Sequence, residues 1–159
     1  GSICVTDFVD GIDHNTILVP ERACMVIDRH VLPGQAVEEV VAQVTGLLEA
    51  ANLRSRHTVK WDERPTPPPL PYLIDEGLPF VEVTLRQMEQ ELGVPPIRIL
   101  SQSVSDGNHF HVHGGIPTLI YGPQGGNTCQ ADEYLIIESM LPTARTYAGI
   151  IMEMLGPVA

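Results

Sequence analysis

The chain has 159 residues, of which 43% are hydrophobic, enough for one ordinary domain or two small ones with a real core. Its 20 acidic residues outnumber its 9 basic ones, and the formal net charge of −11 argues against a nucleic-acid groove and against an anionic membrane surface. No apolar run approaches the roughly 18 residues of a membrane span and no signal-peptide pattern opens the sequence, so a cytoplasmic location is expected.

The first 64 residues have the pattern of two strands, a helix and a further strand. The strands are predicted at residues 3–9, 22–28 and 56–61, and the helix at residues 36–52, whose apolar side chains recur at i, i+3 and i+4. This order resembles part of a ferredoxin-like α+β sandwich without its opening strand and helix, which would leave a sheet edge unpaired.

The three cysteines do not form a disulfide framework, because their number is odd and none are closely spaced. Cys4 and Cys24 fall in apolar, strand-like runs, and we expect them to be small buried hydrophobic residues. Cys129 stands apart from both in a glycine-rich region.

Residues 65–71 contain five of the 14 prolines and can form neither a helix nor a central strand. We interpret this run as a linker between two structural units. A proline-rich docking motif on the surface is the alternative.

After the linker, the pattern alternates between helix and strand. Helices are predicted at residues 80–92, with Gly93 at the C′ position, and from about residue 140, with Ser139 as the N-cap. Strands are predicted at residues 97–101 and 117–121. This order implies a parallel βα arrangement with a right-handed crossover.

The segment from Ser105 to Tyr134, SDGNHFHVHGGIPTLIYGPQGGNTCQADEY, carries the strongest functional signal. In an α/β sheet, ligands bind in loops beyond the carboxyl ends of strands, where the SDG and GPQGG turns would both lie. The segment closely resembles the C-terminal signature of the dizinc aminoacylase family, which includes acetylornithine deacetylase, succinyl-diaminopimelate desuccinylase and glutamate-releasing carboxypeptidases. That signature has S/T-D-G/A, G-I-P-T, a hydrophobic strand, G-P, and a zinc-binding histidine four residues before a glutamate. Here Cys129 stands at the position of the histidine and Glu133 at that of the glutamate.

The resemblance extends into the first half of the chain. Asn15 and Pro20, the strand end Val26-Ile27-Asp28-Arg29, and Pro33-Gly34 before a helix are similar to the lid domain of the family. The resemblance implies a lid and dimerisation segment at residues 1–64, a linker at 65–71, and the C-terminal part of a zinc-peptidase-type catalytic domain at 72–159.

The resemblance also implies an activity, the hydrolysis of amide bonds in N-acyl amino acids or small peptides that carry a free carboxylate. Two zinc ions, with cobalt or manganese as alternatives, would share the attacking water. The implied metal ligand is Cys129, and Glu133 would orient its loop. The implied substrate-binding residues are Asn15, Arg29, Ser105, Asp106, Gly107 and Gly122. A homodimer through the lid segment is expected.

The other metal ligands of the family lie in the first half of its catalytic domain. No HxD motif precedes the lid-like segment here, so we interpret the chain as the C-terminal portion of such an enzyme, inactive alone. The alternative is a non-catalytic relative that acts as a binding or dimerisation module. A free-standing structural domain is a further alternative.

Several candidate residues have a structural interpretation beside the functional one. Cys129 would then be an unliganded loop cysteine, Asp106 a helix cap, and Arg29 a partner in a salt bridge within the lid. His109, His111 and His113 would share a face on a strand and form a metal cluster. On a short helix only His109 and His113 share a face. We favour helix-surface histidines, with a secondary metal or substrate contact as the alternative.

Overall fold

The computed structural model describes residues 3–9, 22–51, 56–61, 65–101 and 103–156 of the chain. Within them the fold is mixed α/β, with helices and two small antiparallel sheets, which confirms the α+β class in general terms. No helix among these residues is both long and apolar enough to cross a membrane.

The chain divides into two compact units, Gly1–Pro71 and Tyr72–Ala159. The division falls at the end of the proline-rich run, where the lack of backbone donors prevents regular structure. Each unit is described by itself below.

The first unit contains an antiparallel ribbon of β1 (Ile3–Val9) and β2 (Cys24–Arg29) and the helix α1 (Val37–Ala50). The ribbon register shifts between Val5 and Asp7, as in a β-bulge. Two glutamates in the first turn of α1 stabilise the helix, because their negative charges lie near the positive end of its dipole.

Two expectations for this unit are wrong. Residues 56–61 form no strand. Cys4 and Cys24 are exposed rather than buried, because the ribbon consists of only two strands and both of its faces are open. Large apolar side chains are exposed on it as well, including Ile3 at 61% and Phe8 at 65%.

The second unit contains three α-helices, α2 (Pro79–Leu92), α3 (Asp106–Val112) and α4 (Met140–Leu155), among the described residues. Between α3 and α4 lies a hairpin of two short strands, β3 (Gly125–Gly126) and β4 (Tyr134–Leu135), followed by one turn of 3-10 helix at Ile137–Ser139.

Helix α2 begins and ends where its sequence predicts. Pro79 occupies the first turn, where its missing N–H has no helical partner to lose. Gly93 ends the helix with φ 70°, a left-handed conformation that favours glycine, and its N–H donates to the Glu89 carbonyl.

Helices α2 and α4 pack against each other in an antiparallel sense. Arg86 forms an ion pair with Glu153, while Glu91, later in α2, lies 4.0 Å from Arg145, earlier in α4. At the interface Val81 is 1% exposed and Thr146 is fully buried.

The buried polar groups at this interface are threonine hydroxyls, and each is satisfied within its own helix. The hydroxyl of Thr84 donates to the Phe80 carbonyl at 2.7 Å, and those of Thr143 and Thr146 likewise donate four residues back. No desolvated hydroxyl is therefore left to destabilise the contact.

The strands predicted at residues 97–101 and 117–121, and the parallel βα arrangement built on them, are not observed. Ile97 is 88% exposed and Ile99 is 84% exposed. A strand needs a hydrogen-bonded neighbour, and the described residues offer none to either segment, so the apolar runs are present without a sheet.

We predict that Gly93→Ala destabilises the second unit by about 1–2 kcal/mol, because the methyl group has open space around it but the left-handed backbone penalises any Cβ. Gly46→Ala is the control, since Gly46 also has open space but lies inside α1, where alanine gains about 0.5–1 kcal/mol. Thermal unfolding followed by circular dichroism measures both. An unchanged stability for Gly93→Ala contradicts the proposed cap.

The α2–α4 contact should weaken in acid. Hydrogen bonds from Arg86 and then Gln87 lower the pKa of Glu153 below its ordinary 4.5. The ionised carboxylate of Glu153 therefore contributes its full stabilisation at pH values above 4.5. That stabilisation is lost as the pH falls through the lowered pKa of the folded state. Glu153→Gln should remove this part of the pH dependence. Glu138→Gln, which lies outside the ion pair, should retain this pH dependence. Equal profiles of stability against pH for the parent and both variants would refute the assignment.

Candidate metal and substrate site

The glycine-rich loop that carries Cys129 is closed by the short β3–β4 hairpin. Gly125 pairs with Leu135 and Gly126 with Tyr134, and the Ile136 N–H donates to the Gln124 carbonyl at 2.8 Å. The loop is thereby held at its base while its tip extends from Asn127 to Glu133.

The side chain of Ser139 ties this hairpin to the start of α4. Its hydroxyl accepts from the Gln124 N–H at 2.9 Å and donates to the Ile136 carbonyl. Ser139 occupies the predicted N-cap position of α4, but its hydroxyl makes no capping hydrogen bond, because it is already engaged with the loop.

One of the three loop glycines is required by close backbone packing. A Cβ on Gly125 would clash with the Tyr134 carbonyl oxygen, whereas one on Gly126 would meet only the end of the exposed Tyr134 side chain, which can move. Gly122 has open space around its Cα, so the close backbone approach occurs at Gly125.

The loop tip contains three non-glycine residues with left-handed backbone, Asn127 at φ 56°, Cys129 at φ 59° and Asp132 at φ 58°. Asparagine and aspartate adopt this region readily, whereas cysteine does so at a cost of about 1–2 kcal/mol. The Asn127 amide donates to the Asp132 carbonyl at 3.2 Å and closes the tip. Strained residues of this kind concentrate at functional sites, so Cys129 is a candidate on backbone grounds alone.

Glu133 holds Cys129 in place. Its carboxylate accepts from the Cys129 backbone N–H at 3.3 Å, and the thiol-bearing residue is exposed. An ion or a ligand can therefore reach the Cys129 sulfur, which lies in a loop that the Glu133 carboxylate holds.

A shallow groove with a volume of about 500 Å³ lies along the hairpin. Its lining includes Thr128 and Glu133, which lie on either side of Cys129 in sequence, but Cys129 itself does not line it. Backbone and side-chain polar groups face this groove more than apolar ones, which suits a polar ligand.

The Ser105–Gly107 turn is a helix start. The Ser105 side chain accepts from the Gly107 N–H at 3.3 Å, and the Asn108 side chain accepts from the Ser105 N–H at 3.0 Å, which together form a capping box. Asp106 is exposed in the first turn, so the interpretation of Asp106 as the cap is wrong and Ser105 has that role.

The HxHxH histidines lie on and immediately after α3, as the helical interpretation predicts. The rings of His109 and His113 have centroids 5.7 Å apart, and His111 stacks on Tyr72 at 4.2 Å. Burial raises the pKa of Tyr72. Tyr72 was not among the predicted site residues, although its position as an aromatic residue directly after the proline run indicated that it would pack against a neighbour.

Arg29 ends β2 and donates to the Gln43 side-chain oxygen on α1 at 2.9 Å. This partner is neutral, so the contact orients the guanidinium without compensating its charge. The alternative of a salt bridge within the lid receives no support from this contact. Asn15 lies outside the described residues.

The structure thus brings Cys129 together with Glu133, and Ser105 together with Gly107. Arg29 belongs to the first unit and the others to the second. Among the described residues, no group of three or more His, Cys, Asp or Glu side chains is arranged to hold a metal ion.

Comparisons with models of protein families, with curated proteins and with solved structures found no match to this chain.

We predict that Gly125→Ala opens the β3–β4 hairpin, because its methyl group would clash with the Tyr134 carbonyl, at a local cost of about 1–3 kcal/mol. Amide hydrogen exchange at Ile136, whose N–H donates to the Gln124 carbonyl, should accelerate accordingly. Gly122→Ala is the matched control in the same loop and should leave exchange unchanged. Equal exchange in both variants would show that the hairpin does not depend on this approach.

Proposed function

We propose that the chain is the lid segment and C-terminal catalytic segment of a metal-dependent hydrolase that cleaves amide bonds in N-acyl amino acids or small peptides. The proposal depends on Cys129. Its thiol is exposed, its backbone is strained and left-handed, and its N–H donates a hydrogen bond to the Glu133 carboxylate. The resemblance assigns a metal ligand to this position.

The backbone at position 129 supports the proposal independently of the thiol. Histidine, asparagine and aspartate are several-fold enriched among non-glycine residues with positive φ. A φ of 59° is therefore a conformation that suits the histidine of the dizinc aminoacylases better than it suits cysteine. The backbone at position 129 would therefore accommodate a histidine at least as well as it accommodates the cysteine.

The residues of this chain have distinct roles in the proposed reaction. The Cys129 thiolate would hold zinc, which supplies Lewis acidity and a water of lowered pKa when bound. Glu133 keeps the ligand loop in register through the Cys129 N–H. A thiolate donates more charge to the metal than an imidazole does, and it therefore lowers the Lewis acidity of the metal.

The resemblance assigns substrate contacts to residues of each unit. In the second unit, the Ser105–Gly107 turn and Gly122 would contact the substrate through backbone and hydroxyl groups. In the first unit, Arg29, whose hydrogen-bond partner is neutral, would bind a substrate carboxylate. Asn15 is assigned a substrate contact by the resemblance alone.

The second candidate function is a binding or dimerisation module without catalysis. The exposed apolar side chains of the β1–β2 ribbon favour it, since surfaces of this kind commonly mark interfaces. A lid-mediated homodimer is compatible with both functions. The sequence upstream discriminates between them, because an HxD motif and a Glu-Glu pair there favour the enzyme.

The proposal is tested with the protein from the complete gene. Its zinc content and its rate of hydrolysis of N-acetyl amino acids are measured. Cys129→Ala should lose zinc and activity, because the substitution removes a metal ligand, and Glu133→Ala should weaken zinc binding about 10–100-fold. Cys129→His should retain both zinc and activity, since imidazole binds zinc and suits the backbone.

Cys24→Ala is the matched control, because Cys24 is also an exposed cysteine but lies on β2. The proposal fails when Cys129→Ala holds zinc and turns over substrate as the parent does. A zinc-free parent that still forms a dimer supports the module instead.

A further inference from the structure

Helix α4 has two opposite faces. One face packs on α2, where Thr146 is fully buried and Glu153 binds Arg86. The other face repeats apolar residues at alternating intervals of three and four, which are the a and d positions of a heptad. These positions, called the α4 seam below, hold Leu141, Ala144, Ala148, Ile151 and Leu155.

Every residue of the α4 seam is exposed. Leu141 is 58% exposed, Ile151 is 56% exposed and Leu155 is 80% exposed. Four large apolar side chains that flank the seam are exposed as well, namely Met140, Tyr147, Met152 and Met154. The seam and its flanks therefore form one apolar surface that the described part of the chain leaves open to solvent.

The spacing of the α4 seam suits packing against another helix. Side chains at a and d fit between those of a facing helix, and the small Ala144 and Ala148 at the centre allow the two backbones to approach closely. Such a partner needs an equally exposed apolar stripe. Among the described helices, α1 buries Val40 and α2 buries Val81, so the helix that matches α4 is the α4 of a second copy.

The charges of α4 permit an antiparallel pair. In that orientation the positive end of each helix dipole lies beside the negative end of the other. The charged side chains of α4 are Glu153, which binds Arg86 on the α2 side, and Arg145, which lies 4.0 Å from Glu91. The contact would therefore bury no unpaired charge from α4.

The surface is large enough for a weak dimer. The seam and its flanks carry seven large apolar side chains, each about half exposed or more. At roughly 200 Å² for a fully exposed large side chain, half exposure leaves about 100 Å² on each. A contact that covers most of this surface buries about 500 Å² per copy, or about 1,000 Å² in total, which is the size of a weak biological interface.

We propose that the α4 seam is a homodimer contact, in which α4 of one copy packs antiparallel against α4 of a second copy about a two-fold axis. Both copies use the same surface in such a contact, so the association through it stops at two chains. A groove of about 390 Å³, whose lining includes Phe80, Pro117 and Leu155, lies beside the end of the seam and would receive the first turn of the partner helix. This contact belongs to the second unit and is separate from the expected pairing through the lid segment.

Sedimentation equilibrium of the full chain tests the contact. The chain should self-associate, and Ala148→Glu should weaken the association at least tenfold, because it places two carboxylates at the centre of an apolar contact. Alanine and glutamate are both good helix formers and Ala148 is exposed, so the variant should keep the circular dichroism of the parent. Gln90→Glu is the matched control, since it adds the same charge at an exposed position of α2 and should associate as the parent does.

Chemical crosslinking locates the contact. The three native cysteines are changed to serine, and a single cysteine is introduced by Ala148→Cys or, as the control, by Gln90→Cys. A short bis-maleimide reagent should link two copies of the Ala148→Cys variant and should not link the Gln90→Cys variant. The readout involves neither zinc nor hydrolysis, so it is independent of the proposed enzyme function.

Three results would overturn the proposal. The first is equal association of Ala148→Glu and the parent, or a parent that is monomeric at about 1 mM. The second is a dimer that the reagent does not link through position 148, since that dimer pairs elsewhere, as through the β1–β2 ribbon. The third is a link that forms in this chain but is lost in the protein from the complete gene, because upstream polypeptide would then cover the seam.

Discussion

The antiparallel contact between α2 and α4 is the constraint on which the second unit depends. Val81 and Thr146 are buried there, and few other side chains among the described residues are buried to the same extent. The loops that carry the candidate residues are attached to this pair, since Ser139 joins the hairpin to the start of α4 and the Tyr147 hydroxyl donates to the Tyr121 carbonyl. The candidate metal loop is therefore closed by the β3–β4 hairpin and anchored through Ser139 to the start of α4.

The sequence predicted elements well where the signal is local. β1 at residues 3–9 and the helices α1, α2 and α4 follow from periodicity and from Gly93, signals that act within one or two turns. The segments at 97–101 and 117–121 have equally apolar sequences, but a strand also requires a partner, and no local pattern supplies one. The exposure of Cys4 and Cys24 was missed for the same reason, since burial depends on what covers the ribbon.

The candidate site was predictable to the extent that it depends on residue type. Cys129 and Glu133 were singled out by their positions in the signature that the segment resembles, and the structure joins them through a hydrogen bond from the Cys129 backbone N–H to the Glu133 carboxylate. The left-handed backbone at Cys129, the close approach of Gly125 to Tyr134, and the stacking of His111 on Tyr72 depend on geometry that the spacing does not carry.

The threonine hydroxyls buried between α2 and α4 have one more consequence. Each is bound to its own helix, as Thr146 is to Pro142, so none of them links the two helices. The polar links that cross the interface are the pairs of Glu153 with Arg86 and Gln87 and of Glu91 with Arg145. The interior therefore holds the two helices together by burial and by the fit of their side chains, and its hydroxyls add no directional bond between them. The charged groups of the links are in contact with solvent, so added salt weakens the links while it leaves the buried contact in place.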